Sequence, residues 1–133
     1  MRTEFQDNGC CFVCGKNNTI GLKLLFARKP DAAEAEFIPS KELQGYSGIV
    51  HGGIISAVLD EAMIQASMSE KDTPVTAEIK VRFRNPLKVD EQATVYASVK
   101  KRAGRLIEAD AAMRKKSDNT LIAEAHAKLM CTA

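Results

Sequence analysis

Two adjacent carboxylates on an otherwise apolar segment are the residues of this sequence that point most directly to chemistry. Asp60 and Glu61 follow a glycine-rich stretch, residues 45–53. Apolar residues recur at helical spacing through the segment, at Ile55, Val58, Leu59, Ala62 and Ala66. The pattern predicts a helix over residues 52–69 that is apolar on nearly all sides, as buried helices are. An unpaired carboxylate in a buried helix is costly, so both acids are candidates for function.

The two acids point to different sides of this predicted helix. At about 100° per residue, Gly52, Ser56 and Asp60 share one side. Glu61 points elsewhere, and we expect it to form a salt bridge or an interface contact. Gly52 and Gly53 leave backbone N–H groups approachable at the helix start, and such groups bind anions or a developing oxyanion. The helix therefore offers a carbonyl-polarising end and, further along, a half-buried carboxylate.

The segment Gly-Tyr-x-Gly-x-Val-His-Gly-Gly, ending at Gly53, is followed by an acid nine residues after its histidine. The histidine is His51 and the acid is Asp60. This long pattern resembles the hotdog-fold acyl-CoA thioesterases, in particular those of the phenylacetate-degradation type. Strand patterns on both sides extend the resemblance over roughly residues 10–131.

The resemblance implies roles for five residues. In the family, the acid at the position of Asp60 activates water or attacks the thioester carbonyl, and both roles stay open here. Gly52 supplies the oxyanion-binding N–H, and Gly53 allows close approach of the substrate. Thr76 holds the nucleophilic water or is an ordinary strand threonine. His51 is a candidate base, although ordering the loop through its ring N–H suits a motif that already contains an acid.

Alternation of apolar and polar residues predicts the strands around the helix. They are expected at residues 20–26, 33–38, 75–83, 93–100, 107–113 and 121–130, with one short helical turn at 40–43. Many inward positions are alanines, which allow a bulky helix to lie close to the sheet. The residues alone predict an α+β fold; the resemblance makes it a hotdog fold, with five to six antiparallel strands wrapped around one central helix. We expect one domain over residues 1–133, with residues 1–19 as a cysteine-containing N-terminal extension.

Two of these strands carry specific predictions about side-chain direction. The first is expected to point Ile20, Leu22, Leu24 and Phe26 inward. In the third, strict alternation places Val75, Ala77, Ile79, Val81 and Phe83 on one face. Thr76 then falls on the opposite face, together with Lys80 and Arg82.

Composition limits the possible partners. The chain has 133 residues, of which 45% are hydrophobic and 27% charged, as is ordinary for a globular protein. A net charge of +2 is too small to make nucleic acid the main partner. No apolar run approaches 18 residues, so we expect no membrane span. No signal peptide is visible at the start, so the cytoplasm is the expected location.

The cysteines are Cys10, Cys11, Cys14 and Cys131, and we expect them to be reduced thiols. The pair Cys11-x-x-Cys14 could begin a zinc site, but such a site usually has four ligands. The two histidines, His51 and His126, stand at the wrong spacing to complete it. We therefore expect small thiols in an N-terminal loop, no metal and no cofactor. His126 lies in a regular strand alternation and is predicted to be structural.

Basic residues cluster at the predicted turns. Alternate turns of an antiparallel meander share an end, so five of these residues are expected together at one end of the sheet: Arg84, Lys88, Arg114, Lys115 and Lys116. The phosphates of coenzyme A need such partners, whereas solvated turns need none. The predicted substrate-binding residues are Gly53, Ser56, Arg84, Lys88 and Arg114.

Helix geometry predicts that the active site is shared between two chains. Gly52 and Asp60 are separated by ~12 Å along a helix axis, too far to act on one thioester. A second helix, antiparallel across a two-fold axis, brings Gly52 of one chain near Asp60 of the other. The resemblance implies such homodimers, and homotetramers formed from them.

Two alternatives to a thioesterase share the same fold. A hydratase of enoyl-CoA would place its catalytic Asp and His five residues apart, and this spacing is absent. A non-catalytic protein that binds or senses acyl-CoA would keep the pocket but would have no need of Asp60. The catalytic role of Asp60 is thus what separates the enzyme from this second alternative.

Overall fold

The core of the fold is one helix, α1 (Gly52–Ser67), in a computed structural model that describes residues 5–70 and 73–131. Val58, Leu59 and Met63 are completely buried. The helix ends at Ser67 rather than at the predicted residue 69, because Met68 has extended backbone with ψ 141°. Within the described ranges, no helix has the length and apolarity needed to cross a membrane.

Six strands form one antiparallel sheet around α1. They are β1 (Ala27–Lys29), β2 (Ala32–Phe37), β3 (Pro74–Phe83), β4 (Ala93–Ala103), β5 (Leu106–Lys115) and β6 (Leu121–Cys131), and a 3₁₀ turn spans Lys41–Leu43. Their order across the sheet is β1-β2-β4-β5-β6-β3, so β1 and β3 are its edges. The helix contacts every one of these strands. The predicted α+β arrangement of one helix and an antiparallel sheet is confirmed.

Alternate residues of the central strands line the inner face of the sheet, as predicted. Many of these completely buried positions are small: Ala93, Ala97, Ala109 and Ala123. Small side chains let the bulky helix approach the strands closely. The apolar area buried in this way stabilises the fold by about 25 cal/mol per Å². The alternation slips at the start of β6, where the pairing with β5 shifts. As a result Ile122 is buried, and Leu121, predicted to face inward, is only half-buried.

The predicted N-terminal hairpin is present, but its first strand is shorter and later than expected. It begins at Ala27, whereas the sequence predicts residues 20–26. Lys23 has φ 54°, in the left-handed region, which interrupts an extended strand. The N–H of Leu24 donates to a carbonyl of the N-terminal loop at 2.9 Å, so this segment follows that loop instead of a strand. The inward direction predicted for Ile20 is wrong, because its side chain is 77% exposed.

One extra residue in β3 changes which side chains face the helix. The pairing of β3 with β6 shifts just after Thr76, so Ala77 forms a β-bulge. The face predicted for Thr76 is therefore wrong: its hydroxyl reaches α1, whereas Val75 and Ala77 are exposed. Beyond the bulge, Ile79 packs against the core as predicted.

On the outer face of the sheet, His126 of β6 lies between two acids of β5. Its Nδ1 is 2.6 Å from Asp110 Oδ1, and its Nε2 is 3.0 Å from Glu108 Oε1. The hydrogen bond with Asp110, reinforced by the one with Glu108, raises the pKa of His126 above its usual 6.5. This cross-strand cluster fits the structural role predicted for His126.

Replacing His126 by glutamine is expected to lower the free energy of unfolding more at about pH 5.5 than at about pH 8.5. Because the folded-state pKa is raised, the ion pairs stabilise the fold fully below the unfolded value of 6.5. The stabilisation is lost as the pH rises through the folded value. Urea denaturation of both proteins at each pH measures the difference. An equal loss of unfolding free energy at both pH values would contradict ion pairing of protonated His126 with the two acids.

Candidate active site

The N-terminus of α1 presents one backbone N–H without an acceptor in the part of the chain that the structure describes. His51 caps the helix: its Nδ1 accepts the Gly53 N–H at 2.8 Å, and its carbonyl accepts from Ile54 and Ile55. The sequence predicted that the ring would order this loop by donating, but the ring accepts, which places its proton on Nε2. The Gly52 N–H is left open for an oxygen of a bound molecule.

A cavity of about 310 Å³ opens beside this free donor. It is lined by Val50, Gly52, Ile55, Phe83, Arg84, Asn85, Pro86 and Leu87. The Phe83 ring lies against Gly52, since a Cβ added there would be 3.4 Å from the ring. A largely apolar wall beside an open N–H suits a carbonyl group that carries an apolar substituent.

Asp60 faces the edge strand β3 rather than this cavity. The Thr76 hydroxyl donates to Asp60 Oδ1 at 2.5 Å, and both side chains are half-buried. The β-bulge at Ala77 turns Thr76 toward the helix and so makes the bond possible. The bond orients the carboxylate and leaves its second oxygen, Oδ2, available to a water or a substrate atom.

Gly52 and Asp60 are not brought together within one chain. They remain ~12 Å apart along α1, with Ser56 between them. The Ser56 hydroxyl donates to the Gly52 carbonyl at 3.0 Å, so its proton is engaged within the helix rather than offered to a substrate. Gly53 makes room for the His51 ring, since a Cβ there would lie 3.0 Å from Nδ1. Ser56 and Gly53, both predicted to bind substrate, therefore each have a structural role within the chain.

The basic residues predicted at one end of the sheet do lie near its Gly52 end. Arg84 directly follows β3, and its backbone N–H donates to the Ile122 carbonyl at the start of β6. Arg114 of β5 is paired with Leu121 at the same point of β6. Arg84 forms an exposed ion pair with Glu124 at 3.0 Å, and Arg114 donates to a turn carbonyl. Among the described residues, the Lys88 side chain has no acidic partner. Exposed pairs of this kind are weak, so a phosphate can replace the acid.

A second polar cluster on α1 was not predicted from the sequence. Glu61 lies against the two thiols of the N-terminal loop, 3.5 Å from Cys11 Sγ and 3.6 Å from Cys14 Sγ. Burial raises the pKa of Glu61. Burial, together with the hydrogen bond to Cys11, raises the pKa of Cys14. Of the two roles expected for Glu61, a salt bridge does not occur with any residue in the described ranges, and an interface contact stays a prediction.

Comparison with known families identifies the class to which the chain belongs. Residues 47–122 match the family model of the thioesterase superfamily, and this segment holds Gly52, Asp60 and Thr76. The match covers more than half of the chain, so the chain belongs to the thioesterase superfamily. Thioester hydrolysis is the activity of this class. Among curated proteins, none matches the sequence.

Solved structures confirm the hotdog fold that the resemblance implied. The Escherichia coli PaaI protein of the phenylacetic acid degradation operon matches with TM-score 0.79 and 16% identity, over 84% of this chain and 81% of its own. Zebrafish thioesterase superfamily member 2 matches with TM-score 0.76 and 19% identity, over 90% of each chain.

A hypothetical thioesterase of Streptococcus pneumoniae, solved with coenzyme A, also matches, with TM-score 0.76 and 14% identity over 83% of this chain and 86% of its own. It has been solved in two variant forms as well. One replaces an aspartate by alanine and the other a threonine. The two replaced positions are 16 residues apart in that protein.

Replacing Thr76 by valine is expected to lower kcat for thioester hydrolysis by about 10–100-fold, the value of one hydrogen bond to a charged group. Valine keeps the shape but leaves the Asp60 carboxylate without its donor. Thr76→Ser is the matched control, because it keeps the hydroxyl and should stay within about threefold of wild type. Steady-state kinetics decide it: equal rates for the valine variant and wild type would remove Thr76 from the site.

Proposed function

We propose that this protein is an acyl-CoA thioesterase that hydrolyses an acyl- or aryl-CoA to the free acid and coenzyme A. The observation that carries the proposal is one helix with an open Gly52 N–H and a carboxylate, Asp60, anchored by Thr76. Asp60 and Thr76 are 16 residues apart, the same separation as the two positions replaced in the Streptococcus thioesterase. That protein was solved with coenzyme A, which supports coenzyme A as the carrier here.

The chemistry assigned to each group follows from what it can donate or accept. Asp60 takes a proton from a water that attacks the thioester carbonyl, or it attacks the carbonyl itself; Thr76 holds it in position for either step. The carbonyl oxygen becomes an oxyanion, which the Gly52 N–H stabilises. The sulfur of coenzyme A then leaves as a thiolate and takes up a proton. His51 orders the loop and is not needed as the base.

We place each complete site between two chains of a homodimer. The separation of Gly52 and Asp60 on α1 requires a second chain, as helix geometry predicts. Support comes from β3, an edge strand with one unpaired side that carries Thr76. Its exposed Val75 and Phe83 are apolar, as at a surface that a partner covers. We also propose that two such dimers pair to form a tetramer.

The basic end of the sheet is proposed to bind the phosphates of coenzyme A. Arg84 lines the cavity next to Gly52, and Lys88 and Arg114 lie at the same end. A net charge of +2 supports a small anionic ligand rather than nucleic acid. The reduced thiols of Cys10, Cys11 and Cys14 suit the reducing cytoplasm as the compartment.

Asp60→Asn is expected to lower kcat by about 100-fold or more while the protein stays folded. Asparagine keeps the shape and can still accept the Thr76 hydrogen bond, but it cannot act as base or nucleophile. Glu34→Gln, at an exposed acid of β2, is the matched control for the change in charge. The assay is thioester hydrolysis over short, long and aryl acyl-CoAs. Wild-type rates for Asp60→Asn would remove Asp60 from the mechanism. Binding of acyl-CoA by the wild-type protein with no hydrolysis of any of them would favour a protein that binds without catalysis.

Mixing two inactive variants tests the shared site. Gly52→Pro removes the open N–H, and the chain tolerates it there because His51 already has φ −62° and ψ 135°, the region preferred before proline. In a dimer of Gly52→Pro with Asp60→Asn, one site has both lesions and the other has neither. Random mixing should therefore restore about a quarter of wild-type activity.

The control for the mixing experiment is Gly52→Ala, which keeps the N–H and has room for its Cβ beside Phe83 at 3.4 Å. We expect it to remain active alone, whereas Gly52→Pro loses about 100–1000-fold in kcat. If heterodimers form, as shown by mass spectrometry of differently tagged chains, and no activity returns, the shared site is wrong.

A further inference from the structure

Three metal-binding side chains meet on a side of α1 different from the one that carries Asp60. Glu61 Oε1 is 3.5 Å from Cys11 Sγ, and Glu61 Oε2 is 3.6 Å from Cys14 Sγ. One ligand atom from each residue lies within 4.8 Å of the other two. Tetrahedral zinc, with Zn–S near 2.3 Å and Zn–O near 2.0 Å, separates a sulfur from an oxygen by about 3.5 Å. Each sulfur therefore already stands at about this distance from one of the two carboxylate oxygens of Glu61.

The loop that carries the two thiols is built in a shape that turns them to the same side. The Gly15 N–H donates to the Cys11 carbonyl at 2.8 Å, which closes a tight turn around Cys14. A Cβ at Gly15 would be 2.3 Å from the Cys11 nitrogen, so only glycine fits this turn. The Cys14 N–H donates to Cys11 Sγ at 3.4 Å, which fixes the position of this sulfur.

The carboxylate is held in place by a neighbour rather than by a cation. Gln65 Nε2 donates to Glu61 Oε2 at 2.8 Å and lies 3.6 Å from Cys14 Sγ. No lysine or arginine in the described ranges forms an ion pair with Glu61. The half-buried carboxylate between two thiols thus has a fixed orientation and no ion-pair partner among the described residues. An outer hydrogen bond of this kind orients metal ligands.

Contrary to the expectation of no metal, we propose that Cys11, Cys14 and Glu61 bind a Zn²⁺ ion. Two soft thiolates and one carboxylate favour zinc over magnesium or calcium. The fourth ligand is a water from the adjoining cavity of about 550 Å³, which all three residues line. Binding releases the two thiol protons to solvent, so two thiolates, one carboxylate and Zn²⁺ leave the site with one net negative charge.

The ion would fasten the N-terminal loop to the central helix. The two thiols and Glu61 are 47 to 50 residues apart in the sequence, so a metal bond between them links the chain's start to its core. Gly52, Asp60 and Thr76 are not ligands, and the site takes no part in the proposed hydrolysis. The zinc proposal therefore stands or fails independently of the thioesterase proposal.

Zinc content and cobalt substitution test the site directly. The purified full chain should contain about one zinc per chain by mass spectrometry of the metal. After removal of the metal under reducing conditions, Co²⁺ should give the visible bands of a tetrahedral site and the ultraviolet charge-transfer absorption of two thiolates. Re-added Zn²⁺ should displace it and raise Tm by on the order of 10 °C at 100-fold excess over Kd. Absence of both zinc and the cobalt spectrum in the wild-type protein would overturn the proposal.

Variants identify the ligands. Cys11→Ser, Cys14→Ser and Glu61→Gln should each weaken zinc binding by more than ~100-fold, measured by competition with a chromophoric chelator. Gln65→Ala, which removes only the outer hydrogen bond, should weaken it by ~10–100-fold. Cys10→Ser is the matched control, because Cys10 is an exposed thiol of the same loop outside the cluster, and it should bind like wild type. Loss of zinc from Cys10→Ser, or wild-type affinity in either cysteine variant of the cluster, would contradict the assignment.

Discussion

The enclosure of α1 by its own sheet is the constraint on which the other features depend. Residues such as Val58 and Leu59 have no exposed surface, and the candidate functional groups of this helix lie in three places. The first is the open end, where Gly52 keeps a free N–H. The second is the edge strand, where Asp60 meets a threonine. The third lies under the N-terminal loop, where Glu61 meets two thiols. Each polar cluster on the helix thus marks a gap in its enclosure.

The parts of the fold that depend on local periodicity could be predicted from the sequence. The helix and the inner faces of β4 and β5 repeat apolar residues at a fixed spacing, and burial in a two-layer domain requires that spacing. The positions of Gly52 and Asp60 were also predictable, because both belong to one long motif. Their roles follow less directly, since the free N–H depends on how His51 uses its ring.

Features that depend on a single inserted residue or on distant contacts could not be predicted. Alternation placed Thr76 on the outer face, and one bulge at Ala77 reverses that assignment and creates its bond to Asp60. The residue type of Lys23 does not predict its left-handed backbone conformation, so a strand was expected where none forms. The contact of Glu61 with the N-terminal thiols joins residues about fifty positions apart, and a local sequence pattern cannot predict such a contact.

The alanines on the inner face of the sheet have a consequence for how this protein can diverge. Residues such as Ala97 and Ala109 are completely buried and close the space between helix and strands, so any larger side chain there would strain the core. Phe83, in contrast, lies on the edge strand and is 55% exposed in the single chain, so a change of its size does not strain this core. A substitution at Phe83 can therefore reshape the cavity beside Gly52 without repacking the interior.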